Sequence, residues 1–179
     1  MTAEGLPFAA PPDDGAAAHI KPGTRLPDVA LASTLGGNVN LAALDGCSVV
    51  FVYPWTGRPG HPDPPGWDDI PGAHGSTPEA IGFRELASQF AAKDFAVFGL
   101  SSVTSDWQRE FAQRMALNYA LLSDERLRFS HALGLPRFAA GDHLYLKRIT
   151  LICRQGEIIR TFYPVHPPDR HAADVLASI

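Results

Sequence analysis

Cysteine is scarce in this chain. Cys47 and Cys153 are the only two in 179 residues, too few for a disulfide framework. No apolar run reaches membrane-spanning length. Charge of either sign is modest, 19% of residues with a net charge of -4, so no general attraction to nucleic acid or to an acidic membrane is expected. The first fifteen positions lack the basic start and apolar stretch of a signal peptide, which predicts a cytoplasmic location. His61, His131, His143, His166 and His171 show no metal-ligand spacing with carboxylates or cysteines, and no metal site is expected. There is no Gly-x-Ser-x-Gly elbow, which argues against a serine hydrolase. No internal repeat is visible.

What is present is an ordinary globular composition, 45% hydrophobic, in a length that suits one domain. Residues 1–20, rich in Ala, Pro, Gly and Asp, read as a flexible tail or an arm laid over a neighbour. Residues 21–179 read as the domain. Pro27 to Ser33 and Val39 to Leu41 are expected as two short strands around the Gly36-Gly37-Asn38 turn. Ser48 to Tyr53, Ser-Val-Val-Phe-Val-Tyr, has the continuous β-branched character of a central strand covered on both faces. A second buried strand is expected over Phe95 to Leu100. Helices are expected over Glu79 to Ala92, Asp106 to Leu117, Glu125 to Leu133 and Pro168 to Ile179, and a hairpin over Leu144 to Tyr163. That order predicts a mixed sheet with helices on both faces.

Between the central strand and the first long helix lies a Pro- and Gly-dense stretch, Pro54 to Gly75, with Trp55 and Trp67 inside it. A structureless loop of that length in a compact domain tends to be functional. It runs into Ile70-Pro71-Gly72-Ala73-His74-Gly75-Ser76-Thr77-Pro78-Glu79-Ala80-Ile81-Gly82-Phe83-Arg84. Downstream come Phe98-Gly99-Leu100-Ser101-Ser102, Leu122-Ser123-Asp124, Lys147-Arg148-Ile149-Thr150-Leu151-Ile152 and Gln155-Gly156-Glu157-Ile158. In this order the motifs resemble the peroxiredoxins of the bacterioferritin-comigratory type, over roughly Lys21 to Ile179. The resemblance implies a thioredoxin-like α/β/α fold with an N-terminal β-hairpin, a thiol peroxidase activity without a cofactor, an external thiol reductant, and dimers as a common assembly.

The resemblance also implies what this chain departs from. The position of the peroxidatic cysteine is Ser76 and that of the resolving cysteine is Ile81; the family's Thr and Pro positions before it are Ala73 and Asp69. A peroxidatic thiol works as a thiolate, its pKa lowered by a helix N-terminus and a nearby arginine, here assigned to Arg148. A serine hydroxyl is far less acidic and has no comparable sulfenic-acid chemistry. Peroxide turnover at position 76 is therefore not expected. Two readings stay open: a one-cysteine peroxidase whose nucleophile is replaced, or a pseudo-enzyme that keeps the scaffold to bind a small molecule or protein. Trp55, Thr56, Arg58, His74 and Thr77 are the expected pocket residues.

Each of these residues also has a purely local reading. Ser76 with Glu79 three residues on forms a capping box, which predicts that Ser76 accepts a bond from the Glu79 amide. Arg148 equally suits a local carboxylate, and Arg84 a partner in Glu85 or Glu79. His74 suits the loop surface, and Trp55 and Trp67 suit stapling the loop to the core. Cys47 and Cys153 are expected to be inert.

Overall fold

A computed structural model describes residues 9–179. The central run forms strand β3 (Cys47–Val52), and its alternation divides the interior. Val50 and Val52 face one core cluster; Val49, Phe51 and Tyr53 face the other. All five are at most 2% exposed, which is why the run is apolar at every position rather than at alternate ones.

Strands β1 (Ala30–Ser33) and β2 (Asn38–Asn40) form the N-terminal hairpin. Beyond β3 come β4 (Phe95–Ser101), β5 (Ala120–Ser123), β6 (Arg137–Ala140), β7 (His143–Leu146), β8 (Ile149–Arg154) and β9 (Glu157–Phe162). Seven strands make one sheet in the order β2-β1-β5-β4-β3-β8-β9; β6 and β7 pair separately. The β3–β4 and β4–β5 pairs are parallel and the others antiparallel, so the sheet is mixed. Helices α1 (Ser76–Ala92), α2 (Ser105–Arg114) and α4 (Pro168–Ala177) send Phe83, Phe90, Phe111 and Val175 into the Phe51 cluster. Helix α3 (Arg128–Leu133) sends Phe129 and Leu133 to the opposite face. This is the thioredoxin-like arrangement.

Three expectations change. The stretch 137–146 folds as its own hairpin, so the C-terminal hairpin begins at Ile149 and not at Leu144. The third helix is shorter than expected: its N-cap is Leu127, in the left-handed region at φ 55°, which leaves Glu125 outside, and the Asp124 carboxylate accepts the first-turn amides of Phe129 (3.0 Å) and Ser130 (2.8 Å). Residues 9–20 lie against their own domain. Turn bonds from Ala18 to Gly15 and from Ile20 to Ala17 present Ala17 and Ile20 to the Leu133–Ile158 core, where both are buried. Asp14 accepts from Lys147 (2.5 Å) and from the Tyr163 hydroxyl (2.6 Å). The remainder of the expected tail, residues 1–8, lies outside the described residues.

His171 on α4 shows how tightly the site's side of the sheet is packed. Its Nε2 is 2.8 Å from Thr150 Oγ1, and Phe83 and Phe162 meet its ring edge-on. Burial, with a smaller push from Arg148, holds its pKa down to about 4. An unfolded histidine titrates near 6.5, so between these values the unfolded chain binds a proton that the fold refuses. The contribution is fully present above pH 6.5 and is lost as pH falls toward 4, about 3 kcal/mol in all. The stability gap between wild type and His171→Gln should therefore narrow by about 2–3 kcal/mol between pH 7.5 and 4.5. Urea midpoints at the two pH values measure it, and a constant gap would show that His171 is not held neutral.

Candidate active site

Helix α1 starts where the Pro/Gly loop ends. Gly75 adopts φ 108°, a conformation closed to side-chain-bearing residues, and this places the N-cap one residue before Ser76. Ser76 is therefore the first helical residue, and the capping box is not formed. The Glu79 amide donates to the Gly75 carbonyl (3.1 Å), leaving the Ser76 hydroxyl free to turn elsewhere. It turns to Arg148, whose Nη2 donates to Ser76 Oγ at 3.3 Å and to the His74 carbonyl at 3.1 Å.

Arg148 reaches this point because it precedes β8 in phase with Thr150 and Ile152. Thr150 meets His171 of α4, and Ile152 joins the Phe51–Phe83 cluster, so this is the face that α1 covers. Arg148 is 4% exposed. Its other terminal nitrogen, Nη1, forms a very short ion pair with Glu79 Oε2. Glu79 is fully buried, and burial pushes its pKa up to about 7 although Arg148 pulls the other way. Glu79 thus fixes Arg148, and Arg148 fixes the orientation of Ser76. The carboxylate that Arg148 was expected to suit is Glu79, 69 positions away in sequence, and the same guanidinium also touches Ser76.

The sequence reading gave Glu79 no such role, since the capping box explained it locally. A signal was available: Glu79 falls on the helix face of Ala80, Phe83 and Phe90, where a carboxylate needs a buried partner. Arg84 does not compete for it. It donates to the Met115 carbonyl (2.6 Å) and stands 3.5 Å from Glu85.

In front of Ser76 is a cavity of about 310 Å³ whose walls include Trp55, Thr56, Trp67, His74, Ser76 and Thr77. Five of the seven expected site residues meet there, and Arg148 joins them through Ser76. Arg58 does not line it: its guanidinium lies over the Trp107 ring, 5.4 Å from the centroid. Trp55 packs between Trp67 (5.5 Å) and Trp107 (5.7 Å), so it staples the loop and lines the cavity at once. Trp107 Nε1 also donates to the Thr56 carbonyl (2.8 Å). His74 lies beside Asp68, Nε2 to Oδ1 2.7 Å. The N-terminal end of a 17-residue helix faces this space and favours negative charge there.

Neither cysteine belongs to it. Cys47 begins β3 at the end opposite Tyr53, about 20 Å along the strand at 3.3 Å per residue. Cys153 is buried, and desolvation pushes its thiol up to about 12. Both are free. Cys153 pairs across the ladder with Ser48, so its side chain shares the face of Ser48 while that of Cys47 points to the other.

A profile of the Redoxin family matches residues 21–177, and the chain belongs to that family. Its relatives are peroxiredoxins. It is 30% identical over 165 residues to the putative peroxiredoxin bcp of Helicobacter pylori strain J99, covering 89% of this chain and 98% of the relative. It is 28% identical over 163 residues to the putative peroxiredoxin Rv1608c of Mycobacterium tuberculosis, covering 89% and 96%. Among solved structures, the peroxidoxin BcpB of Mycobacterium tuberculosis superposes with a TM-score of 0.71 at 26% identity over 89% of this chain and 96% of that one. The bacterioferritin comigratory protein of Xanthomonas campestris gives 0.70 at 22% identity over 88% and 96%, a likeness of fold.

Proposed function

We propose that this chain carries a peroxiredoxin active-site frame of one-cysteine type, with the Ser76 hydroxyl in the place of the nucleophile, and that it does not reduce peroxide as it stands. The observation that supports this is the Arg148 guanidinium, held by a buried carboxylate and donating to the side chain of the first helical residue. That arrangement orients and activates a thiolate, yet the atom there is oxygen. In a peroxidase the thiolate sulfur attacks the O–O bond, forms a sulfenic acid and releases water or alcohol; two external thiols then restore the cysteine, leaving as a disulfide with release of water. Ile81, one turn further along α1, offers no resolving thiol.

What remains is a cavity whose donors suit a small hydroperoxide or a similar oxygen ligand, which is the binding-module reading of the same site. Peroxide consumption with dithiothreitol as reductant tests the proposal. The wild-type chain is expected to show none above the uncatalysed rate, and Ser76→Cys to show turnover. Wild-type turnover that survives replacement of both Cys47 and Cys153 would refute it.

A further inference from the structure

The long loop gathers three metal-ligating side chains that lie too irregularly in sequence to be seen there. Asp63 comes from the middle of the loop, Asp68 from the 3-10 turn Trp67–Asp69 and His74 from its end. One ligand atom from each lies within 4.8 Å of the other two. Asp63 and His74 line the cavity in front of Ser76. Thr56 lines it too.

We propose that Asp63, Asp68 and His74 bind a divalent transition-metal ion at the mouth of this cavity. One imidazole nitrogen with two carboxylate oxygens suits zinc, manganese or ferrous iron; calcium prefers an all-oxygen shell. Metal–ligand bonds of about 2.1 Å put neighbouring tetrahedral ligand atoms about 3.4 Å apart. The present spread, from 2.7 Å between His74 and Asp68 up to 4.8 Å, closes on that value with side-chain movements of about an ångström. Both aspartates are exposed and have room to make them. The frame beneath is firm: Trp67, 3% exposed, carries Asp68 and packs edge-on against the His74 ring, 6.5 Å between centroids. Three protein ligands leave a fourth position of a four-coordinate ion open to water or a small anion. That position opens on the cavity that Thr56 and Ser76 share.

The test is titration of chelator-stripped protein with zinc and with cobalt, followed by calorimetry and by the d–d spectrum of the cobalt form. One equivalent is expected, with a cobalt spectrum showing nitrogen and oxygen ligation. His74→Ala and Asp63→Asn should each weaken binding at least tenfold, while His143→Ala, on β7, should not. Urea midpoints without metal establish that each variant is folded. Should His74→Ala prove unfolded, the exposed Asp63→Asn decides alone. No saturable binding at millimolar metal, or binding that persists in Asp63→Asn, overturns the proposal and leaves His74–Asp68 as a surface ion pair.

Discussion

Arg148→Ala should lower stability by about 3–5 kcal/mol at pH 7.5, because it strands a fully buried carboxylate. Glu79 can escape part of this cost only by taking up a proton. Its folded pKa, about 7, already lies above the unfolded carboxylate value, so its contribution is fully present below the unfolded value and is lost as pH rises through 7. Removing Arg148 takes away the charge that opposes this shift, which moves the folded pKa higher still. The penalty of Arg148→Ala should therefore shrink toward pH 5, where Glu79 is protonated with or without its partner. The double variant Glu79→Leu/Arg148→Met should recover most of the loss, since apolar replacement of a buried pair is often neutral or stabilising. Urea denaturation of the single and double variants at both pH values reads all of this. A single-variant loss below about 1 kcal/mol would mean that the pair is solvated rather than buried.

The parts of the fold legible in sequence are those where local pattern and tertiary environment agree. Ser48 to Tyr53 announced a central strand because only a position covered on both faces tolerates Val-Val-Phe-Val without a break. Strand β5 was not among the expected strands: four residues carry too little period to specify one, and its neighbours β1 and β4 complete the definition. The β6–β7 hairpin escaped because half of its residues are exposed and its aromatic members, Phe138 and Tyr145, pack on Trp67 of the long loop; only Leu146 joins the main core. Ala17 and Ile20 escaped because two apolar residues in a Pro/Ala-rich stretch look the same whether a core accepts them or not.

The candidate site divides in the same way. The pairing of Ser76 with Arg148 followed from the order of motifs, and the alternation of β8 carried Arg148 to the correct face. The Ser76 hydroxyl was misassigned for a specific reason. A capping box and a buried first turn share one sequence, and the choice between them rests on the φ of Gly75, which no side-chain pattern encodes. Asp63, Asp68 and His74 were invisible as a group because loops bring residues together through their irregular path, without a period to read.

Ser76→Cys turns the same geometry into a measurable acidity. A cysteine thiol outside any structure titrates near 8.5. Four influences act at position 76. The helix N-terminus and the Arg148 guanidinium, 3.3 Å from the present oxygen, both stabilise a thiolate. Burial, with Ser76 only 4% exposed, opposes them, as does the negative charge of Glu79. Glu79, however, is itself bound to Arg148, and an arginine within hydrogen-bond distance of the sulfur outweighs an anion on the guanidinium's other nitrogen, because Coulomb energy falls with distance. The thiol should therefore titrate at about 7.5 or below, within the range of cysteines activated in this way. In a background lacking Cys47 and Cys153, thiolate absorbance near 240 nm and the pH dependence of iodoacetamide alkylation both read the value. Adding Arg148→Lys, which keeps the charge but loses the planar fork, should raise it by about one unit and slow reaction with hydrogen peroxide at least tenfold. A thiol that titrates near 8.5 and ignores Arg148→Lys would show that the guanidinium orients the serine without activating the position, and the peroxidase reading of the site would fall with it.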